Sequence, residues 1–228
     1  MYLSDIDLYA HDEIAERYQG GFVAKFRRQA CCIVDLFRFV IRRRVVTKDT
    51  RKLLFEFSDA IDGPPRELIE LDCKWPFDFS RYISLTDAFE KKRMIADALR
   101  DALVWSAGQL GVSAEPFHDA HREAFQRDLK LEGLTRQSWI SPDGKHRIRI
   151  FFIFDIDGIH LFAVLFKNRS KRELGRVRLG IGVSQTGSLE YCLKQGRWSS
   201  NTEFQLTSTD WLQQTWKADF SELINQVD

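Results

Sequence analysis

The sequence predicts an α+β fold, in which an antiparallel meander sheet is covered by helices. Residues 146–168 form two β-branched, aromatic runs around Asp157-Gly158, which is the strongest short-range signal for a β-hairpin. Residues 84–110 repeat apolar side chains at helical spacing. Closely spaced turn signals follow the hairpin, and strands this short favour antiparallel neighbours over crossover connections.

Ser4 can cap a first helix, which ends at the Gly-Gly pair 20–21. Residues 22–46 fit a helix or strands, and their β-branched and aromatic composition favours strands. Asp62-Gly63-Pro64-Pro65 predicts a loop, and the alternation of residues 67–74 predicts another strand.

Two helices are expected next. Ser84 opens the first, with Asp87 completing a short capping box, and Gly111 stops it. Pro116, a residue favoured in a first helical turn, begins the second helix, which ends at Gly133.

The hairpin register follows from its turn. With Asp157 and Gly158 as turn residues, Ile156 lies opposite Ile159, and side chains then alternate between two faces. One face is wholly apolar, and the other mixes phenylalanines with arginines. Strands over 176–183, 189–193 and 198–206 complete the meander, and a last helix begins after Ser208 or Thr209 with Trp216 and Phe220 on its apolar side.

Composition is that of an ordinary globular protein. The chain has 228 residues, 44% of them hydrophobic, and 18 phenylalanines. We expect a single α+β domain over residues 1–228. An alternative is a subdivision into a β-rich N-terminal segment (residues 1–83), a helical pair (residues 84–133), and a meander with a C-terminal helix (residues 134–228). No cysteine lies in a C-x-x-C pair, so no zinc or redox motif is predicted.

Charge is unevenly distributed, although the net charge is +1. Residues 25–52 hold ten Lys or Arg against two Asp, and residues 53–90 hold nine acidic residues against three basic ones. We expect these segments to pair across strands. With a sequence pI of about 7.7, a nucleic-acid partner is not expected.

The second hairpin face is the predicted partner-binding site. A two-layer domain needs only one apolar face per sheet, so something else must cover the second face. A helix of the same chain is one answer, and a partner protein is the other. Aromatic anchors within a charged rim are typical of a partner surface, and the residues concerned are Arg147, Arg149, Phe151, Phe162 and Phe166.

An alternative site lies on the strand 67–74. Asp72-x-Lys74, with Asp62 ten residues upstream, resembles the PD-(D/E)xK nuclease motif. The resemblance implies two carboxylates that hold a divalent ion and a lysine that positions the attacking water. No Pro-Asp pair precedes the strand, and a charged solvent face of an edge strand explains the same pattern.

The sequence therefore favours a non-enzymatic protein-binding module, with metal-dependent nuclease activity as the alternative. A compact α+β chain without a catalytic motif is similar in kind to immunity proteins that neutralise a cognate bacterial toxin. No cofactor, metal or membrane partner is predicted, and the oligomeric state is left open. The N-terminus lacks a basic region followed by an apolar stretch, and no segment has about 18 uncharged apolar residues, so a cytoplasmic location is expected.

Overall fold

The structure is a computed structural model that describes residues 1–18, 21–60, 72–184, 195–208 and 213–226. The described helices and mostly antiparallel strands confirm the α+β class. Two compact units are present, Met1–Leu131 and Glu132–Asp228, and each is described by itself. The single-domain organisation stays a prediction.

The first unit contains a three-stranded parallel sheet and helices. Its sheet has the order β1-β2-β3, with strands β1 (Asp5–Ala10), β2 (Lys52–Ser58) and β3 (Asp72–Pro76). Its described helices are α1 (Asp12–Arg17), α2 (Phe22–Ile41), α3 (Phe79–Ser84), α4 (Ala88–Leu110) and α5 (Glu115–Gln126).

The helix predicted from Ser4 is wrong, because β1 occupies this segment. Its residues pair in parallel with β2, from Asp5 opposite Lys52 to Ala10 opposite Phe57. Alternate side chains are buried, which is strand periodicity. The apolar residues also fit a helical spacing over this short length, and pairing with a strand some 45 residues away decides between the two.

The strands favoured for residues 22–46 are also wrong over most of that range. Residues 22–41 form the 20-residue helix α2, which packs against β1 and α5. Ten of its side chains are buried, including the run Ala30–Val34, so the helix is apolar around much of its circumference. Because apolar residues lie on several sides of α2, the sequence shows no single apolar stripe at helical spacing. The β-branched and aromatic composition then favours strands, whereas packing in the folded chain stabilises the helix.

The two helices predicted next are present, but Ser84 does not open the first of them, because Ser84 is the last residue of α3 and the helix begins at Ala88. Helix α4 is capped by Asp87, whose carboxylate accepts a hydrogen bond from the backbone N–H of Glu90 at 2.8 Å. Gly111 ends it with φ +64°, a left-handed conformation that glycine adopts without strain. Pro116 lies in the first turn of α5, which ends at Gln126, earlier than Gly133.

An aromatic cluster forms the centre of this unit. Phe26 of α2 is fully buried, and its ring centroid lies 5.0–6.3 Å from four other rings, those of Phe57, Phe77, Phe79 and Tyr82. The cluster joins α2, the ends of β2 and β3, and α3. Since aromatic side chains bury large areas, it is a main source of stability in this unit.

The second unit contains two antiparallel sheets. The larger sheet has the order β4-β6-β7-β8, with β5 paired to β6, and the smaller has the order β11-β10-β9. Their strands are β4 (Leu131–Leu134), β5 (Trp139–Ile140), β6 (His146–Asp155), β7 (Gly158–Lys167), β8 (Glu173–Gly182), β9 (Gln195–Trp198), β10 (Glu203–Thr207) and β11 (Thr215–Asp219).

The predicted hairpin is present, but its register differs by two residues. The turn is Ile156-Asp157, and Asp155 pairs with Gly158. The carboxylate of Asp155 accepts a hydrogen bond from the N–H of Ile156 at 2.7 Å, and Gly158 has φ +143°, a value that L side chains rarely adopt. Because the difference is an even number, every side chain keeps its predicted face.

On β8, the side that continues the apolar face of the hairpin contacts the smaller sheet and a short helix. Gly180 of β8 leaves room for Trp216, since a Cβ atom there would lie 2.6 Å from the indole ring. Gly175 makes the same close approach to Leu223 of helix α6 (Ser221–Asn225). The last helix predicted after Ser208 or Thr209 is wrong over β11, because every residue from Thr215 to Asp219 pairs with a residue of β10. The strand predicted at 189–193 lies outside the described residues.

Candidate functional site

All five predicted partner-binding residues lie on one face of the β6-β7-β8 sheet. The register places directly paired residues on the same side. We call this side the arginine–aromatic face, and its strand residues are Arg147, Arg149, Phe151, Ile153 and Asp155 of β6, His160, Phe162, Val164 and Phe166 of β7, and Glu173, Arg176, Arg178 and Ile181 of β8.

Guanidinium groups cover the aromatic rings of this face. Phe151 and Phe162 are half-buried, with ring centroids 6.2 Å apart. The guanidinium carbon of Arg176 lies 5.0 Å from the Phe151 centroid, and that of Arg147 lies 5.7 Å from the centroid of the buried Phe166. These are cation–π distances. The outer layer of the face is therefore made of arginines, with phenylalanine beneath.

Positive charge on the face is only partly balanced. Glu173 accepts two hydrogen bonds from Arg176, at 2.9 and 3.1 Å. Among the described residues, Arg147, Arg149 and Arg178 have no carboxylate partner. Arg178 is exposed, so its guanidinium is open to an incoming group. The face can thus accept carboxylates from outside the chain.

Arg149 is held by the backbone of its own unit. Its Nε donates to the carbonyl oxygen of Thr135 at 2.5 Å, and its Nη2 donates to that of Leu134 at 3.3 Å. Burial, and secondarily the positive charge of Arg147, lower the pKa of Arg149 from its ordinary value. These bonds tie the chain after β4 to β6, which gives Arg149 a structural role.

Arg147 is more weakly anchored. Its Nη2 donates to the carbonyl oxygen of Ser170 at 3.1 Å, and its Nε is buried without a hydrogen-bond partner among the described residues. A buried donor left unsatisfied costs free energy, so a group that reached it on binding would stabilise a complex.

Arg176 and Arg178 belong to the face although the sequence pattern does not assign them to it. The alternation Arg-Val-Arg at 176–178 signals that the two arginines share a side of a strand. Which side they share depends on the pairing with β7, where the register shifts between Leu161 and Phe162 and again between Leu165 and Phe166. Such irregularities leave no sequence signal that fixes a register.

The residues of the nuclease alternative are only partly described. Lys74 is exposed on β3, which pairs in parallel with β2. Asp62 and the side chain of Asp72 lie outside the described residues. Within the described ranges, no group of three or more His, Cys, Asp or Glu side chains is placed to hold a metal ion.

Charges of the first unit pair differently from the sequence expectation. Arg38 of α2 contacts Asp5 of β1 and Asp35 of its own helix, the latter at 2.9 Å. Lys52 lies 3.6 Å from both Asp5 and Asp7. Arg44 lies 3.4 Å from Glu123 of α5. Among the described residues, the basic segment 25–52 therefore pairs with carboxylates of β1, α2 and α5.

Asp35 is the most buried carboxylate of this network. Burial raises its pKa above the ordinary value, against the opposing effect of the Arg38 charge. Since its neighbours are engaged with one another, the network has the features of a structural ion-pair cluster.

In comparisons with known proteins, no family model, no curated protein and no solved structure matches this chain. Within the described ranges, no helix combines the length and the apolar character needed to cross a membrane.

Proposed function

We propose that this chain is a non-enzymatic protein-binding module, and that its partner binds the arginine–aromatic face. The observation that carries the proposal is that two arginines, Arg147 and Arg178, have no carboxylate partner among the described residues and lie on the same face as the half-buried Phe151 and Phe162. Arginine and aromatic residues are enriched at the centres of protein interfaces.

An acidic protein surface is the partner that fits this chemistry. Guanidinium groups donate in a planar fork that matches carboxylates, and an uncompensated basic surface accelerates association with an acidic one. Residues 145–178 hold nine Lys or Arg against three Asp or Glu, a local charge of +6, although the whole chain carries only +1. Complementary charge on the partner would therefore direct it to this region of the second unit.

Single-stranded nucleic acid is the competing partner, and the ring geometry disfavours it. Base recognition on a sheet uses aromatic rings whose faces are open to stacking. Here Arg176 lies over Phe151, and Phe166 is buried beneath Arg147. Stacking of a base on Phe151 would require displacement of a guanidinium that Glu173 also holds.

The narrower proposal is an immunity protein that acts on a cognate bacterial toxin in the cytoplasm. The α+β class supports this proposal, as does a sequence that contains no complete catalytic motif. Coexpression with a candidate toxin tests it, since growth should be restored by the wild-type chain and not by the Arg178→Glu variant.

The binding proposal is tested by cross-linked capture from native lysate. Arg178→Glu changes an exposed residue of the face, and Lys217→Glu makes the same charge change at an exposed position of β11. We expect wild type and Lys217→Glu to retain one protein that Arg178→Glu loses. With that protein purified, we expect Arg178→Glu to weaken its affinity about tenfold or more.

Two results would overturn the proposal. One is capture that is equal for wild type and Arg178→Glu. The other is captured material that nuclease treatment removes, since the arginine–aromatic face would then bind nucleic acid.

Metal-dependent nuclease activity stays a prediction from the residue pattern Asp62, Asp72 and Lys74. No described contact favours it over the binding proposal.

A further inference from the structure

A cleft of about 430 Å³ lies in the second unit, where the turn before β6 meets the end of β7. Two hydrogen bonds cross between these segments. The backbone N–H of Asn168 donates to the carbonyl oxygen of Lys145 at 2.8 Å, and its side-chain amide donates to that of Gly144 at 2.7 Å. The walls of the cleft are therefore tied together before any ligand arrives.

The lining of this cleft is basic. Lys145, Lys167 and Arg169 contribute to it, and no Asp or Glu is among the lining residues. Lys167 and Arg169 are exposed and have no carboxylate partner in the described chain. A concave surface lined by one sign of charge concentrates ions of the other sign. The cleft therefore favours an anion.

The neighbouring carboxylate is engaged in its own turn. Asp143 accepts hydrogen bonds from the hydroxyl of Ser141 at 2.6 Å and from the N–H of Lys145 at 3.1 Å. These bonds, the first above all, lower the pKa of Asp143 and keep it charged. It does not line the cleft, and its charge acts on Lys145 and His146 and not on Lys167 or Arg169.

His146 lines the cleft and carries a buried polar atom without a hydrogen-bond partner among the described residues. Its side chain is buried, with 4% of the residue surface exposed, and its Nδ1 has no hydrogen-bond partner among the described residues. Its backbone is fixed by bonds of 2.9 Å to and from Ser141. A buried polar atom without a partner calls for an explanation, and a bound ion is one of the few available.

We propose that this cleft binds a phosphate group, as free phosphate or as the phosphate of a nucleotide. Arg169 and Lys167 would supply charge-assisted hydrogen bonds, and the His146 ring would supply a further polar contact from the wall. The inference is independent of the arginine–aromatic face. His146 and Lys167 are paired across the hairpin and lie on the side opposite to Arg147 and Phe166.

The test is calorimetric titration of the full chain with inorganic phosphate at constant ionic strength. The variant is the double substitution Lys167→Gln/Arg169→Gln, and the control is Lys171→Gln, an exposed position of the same loop that does not line the cleft. We expect the double variant to bind phosphate about tenfold more weakly or worse. The control should stay within about twofold of wild type, as expected for a charge outside the site.

A second readout follows the imidazole of His146 by proton NMR, with its signal assigned through His146→Asn. We expect this signal to shift with phosphate and not with chloride. Titration with adenosine monophosphate identifies the source, because tighter binding than that of phosphate indicates a nucleotide and equal or weaker binding indicates free phosphate. The proposal is overturned if chloride reproduces the effect, or if the double variant binds phosphate as wild type does.

Discussion

Charged residues are paired differently at the junction of β1 and α2 in the first unit and on the arginine–aromatic face of the second unit. In the first unit, Asp5, Asp7 and Asp35 are each matched by an arginine or lysine at the junction of β1 and α2. On the arginine–aromatic face of the second unit, two carboxylates, Asp155 and Glu173, share the side with four arginines, and Glu173 pairs with Arg176. Paired charges hold one unit together, whereas unpaired charges are available to something outside the chain.

The pairing of charges distinguishes a surface that stabilises the fold from a surface that binds a partner, even when the ligand is not known. Partly buried charges that are matched stabilise the fold chiefly by avoiding the cost of an unmatched one. Charges on an exposed face gain little from pairing within the chain, and they are retained at low cost in stability. Substitutions in the first unit should therefore change the free energy of unfolding, and those on the face should change binding.

The largest expected effect is at Arg38. Arg38→Met leaves Asp5 and Asp35 facing each other without the shared guanidinium, and Asp35 is mostly buried. We expect a loss of about 2–3 kcal/mol in the free energy of unfolding, measured by urea titration. Arg27→Met is the control, since Arg27 is half-exposed and lies 3.8 Å from Asp7, and it should cost under about 0.5 kcal/mol. Equal effects of the two substitutions would contradict a structural role for the network.

A second comparison is between two arginines of the arginine–aromatic face. Arg149→Glu removes two hydrogen bonds to the carbonyls of Leu134 and Thr135, and we expect it to cost about 2 kcal/mol. Arg178→Glu changes an exposed group and should stay within about 0.5 kcal/mol of wild type in the same urea titration. If Arg149→Glu proved neutral, Arg149 would belong with the binding residues.

The third prediction concerns pH and Asp35. Burial raises its pKa in the folded state, so the folded chain binds a proton more tightly than the unfolded chain does. This contribution is fully present below the ordinary carboxyl pKa and is lost as pH rises through the raised value. We expect the stability of Asp35→Asn to fall less than that of wild type over this window, measured by urea unfolding at several pH values. A parallel pH dependence of the two proteins would show that Asp35 titrates normally.

The last prediction is that the chain has no measurable nuclease activity. If the functional site lay in the first unit, Asp62, Asp72 and Lys74 would cleave nucleic acid with a divalent ion. We expect no Mg²⁺-dependent cleavage of DNA or RNA above buffer. Cleavage that Lys74→Ala abolishes and Lys48→Ala, an exposed control, preserves would move the function to the parallel sheet and reverse the comparison.

Turn chemistry and helix capping were determined by the sequence itself. The hairpin and the stop at Gly111 depend on neighbouring residues and have a local signal, although the turn lies one residue earlier than predicted and the cap of α4 is Asp87 instead of Ser84. The faces of β6 and β7 follow from alternation alone, which is why the five partner-binding residues were placed on one side although the register was off by two.

Long-range contact decided the rest. Strand β1 and helix α2 owe their conformations to burial against each other and, in β1, to pairing with β2, and no local residue encodes that choice. Arg176 and Arg178 joined the site only through a β7–β8 pairing interrupted by two register shifts. Local interactions select among conformations of a few residues, whereas burial in a shared core selects among elements far apart in the chain, and only the tertiary structure contains that information.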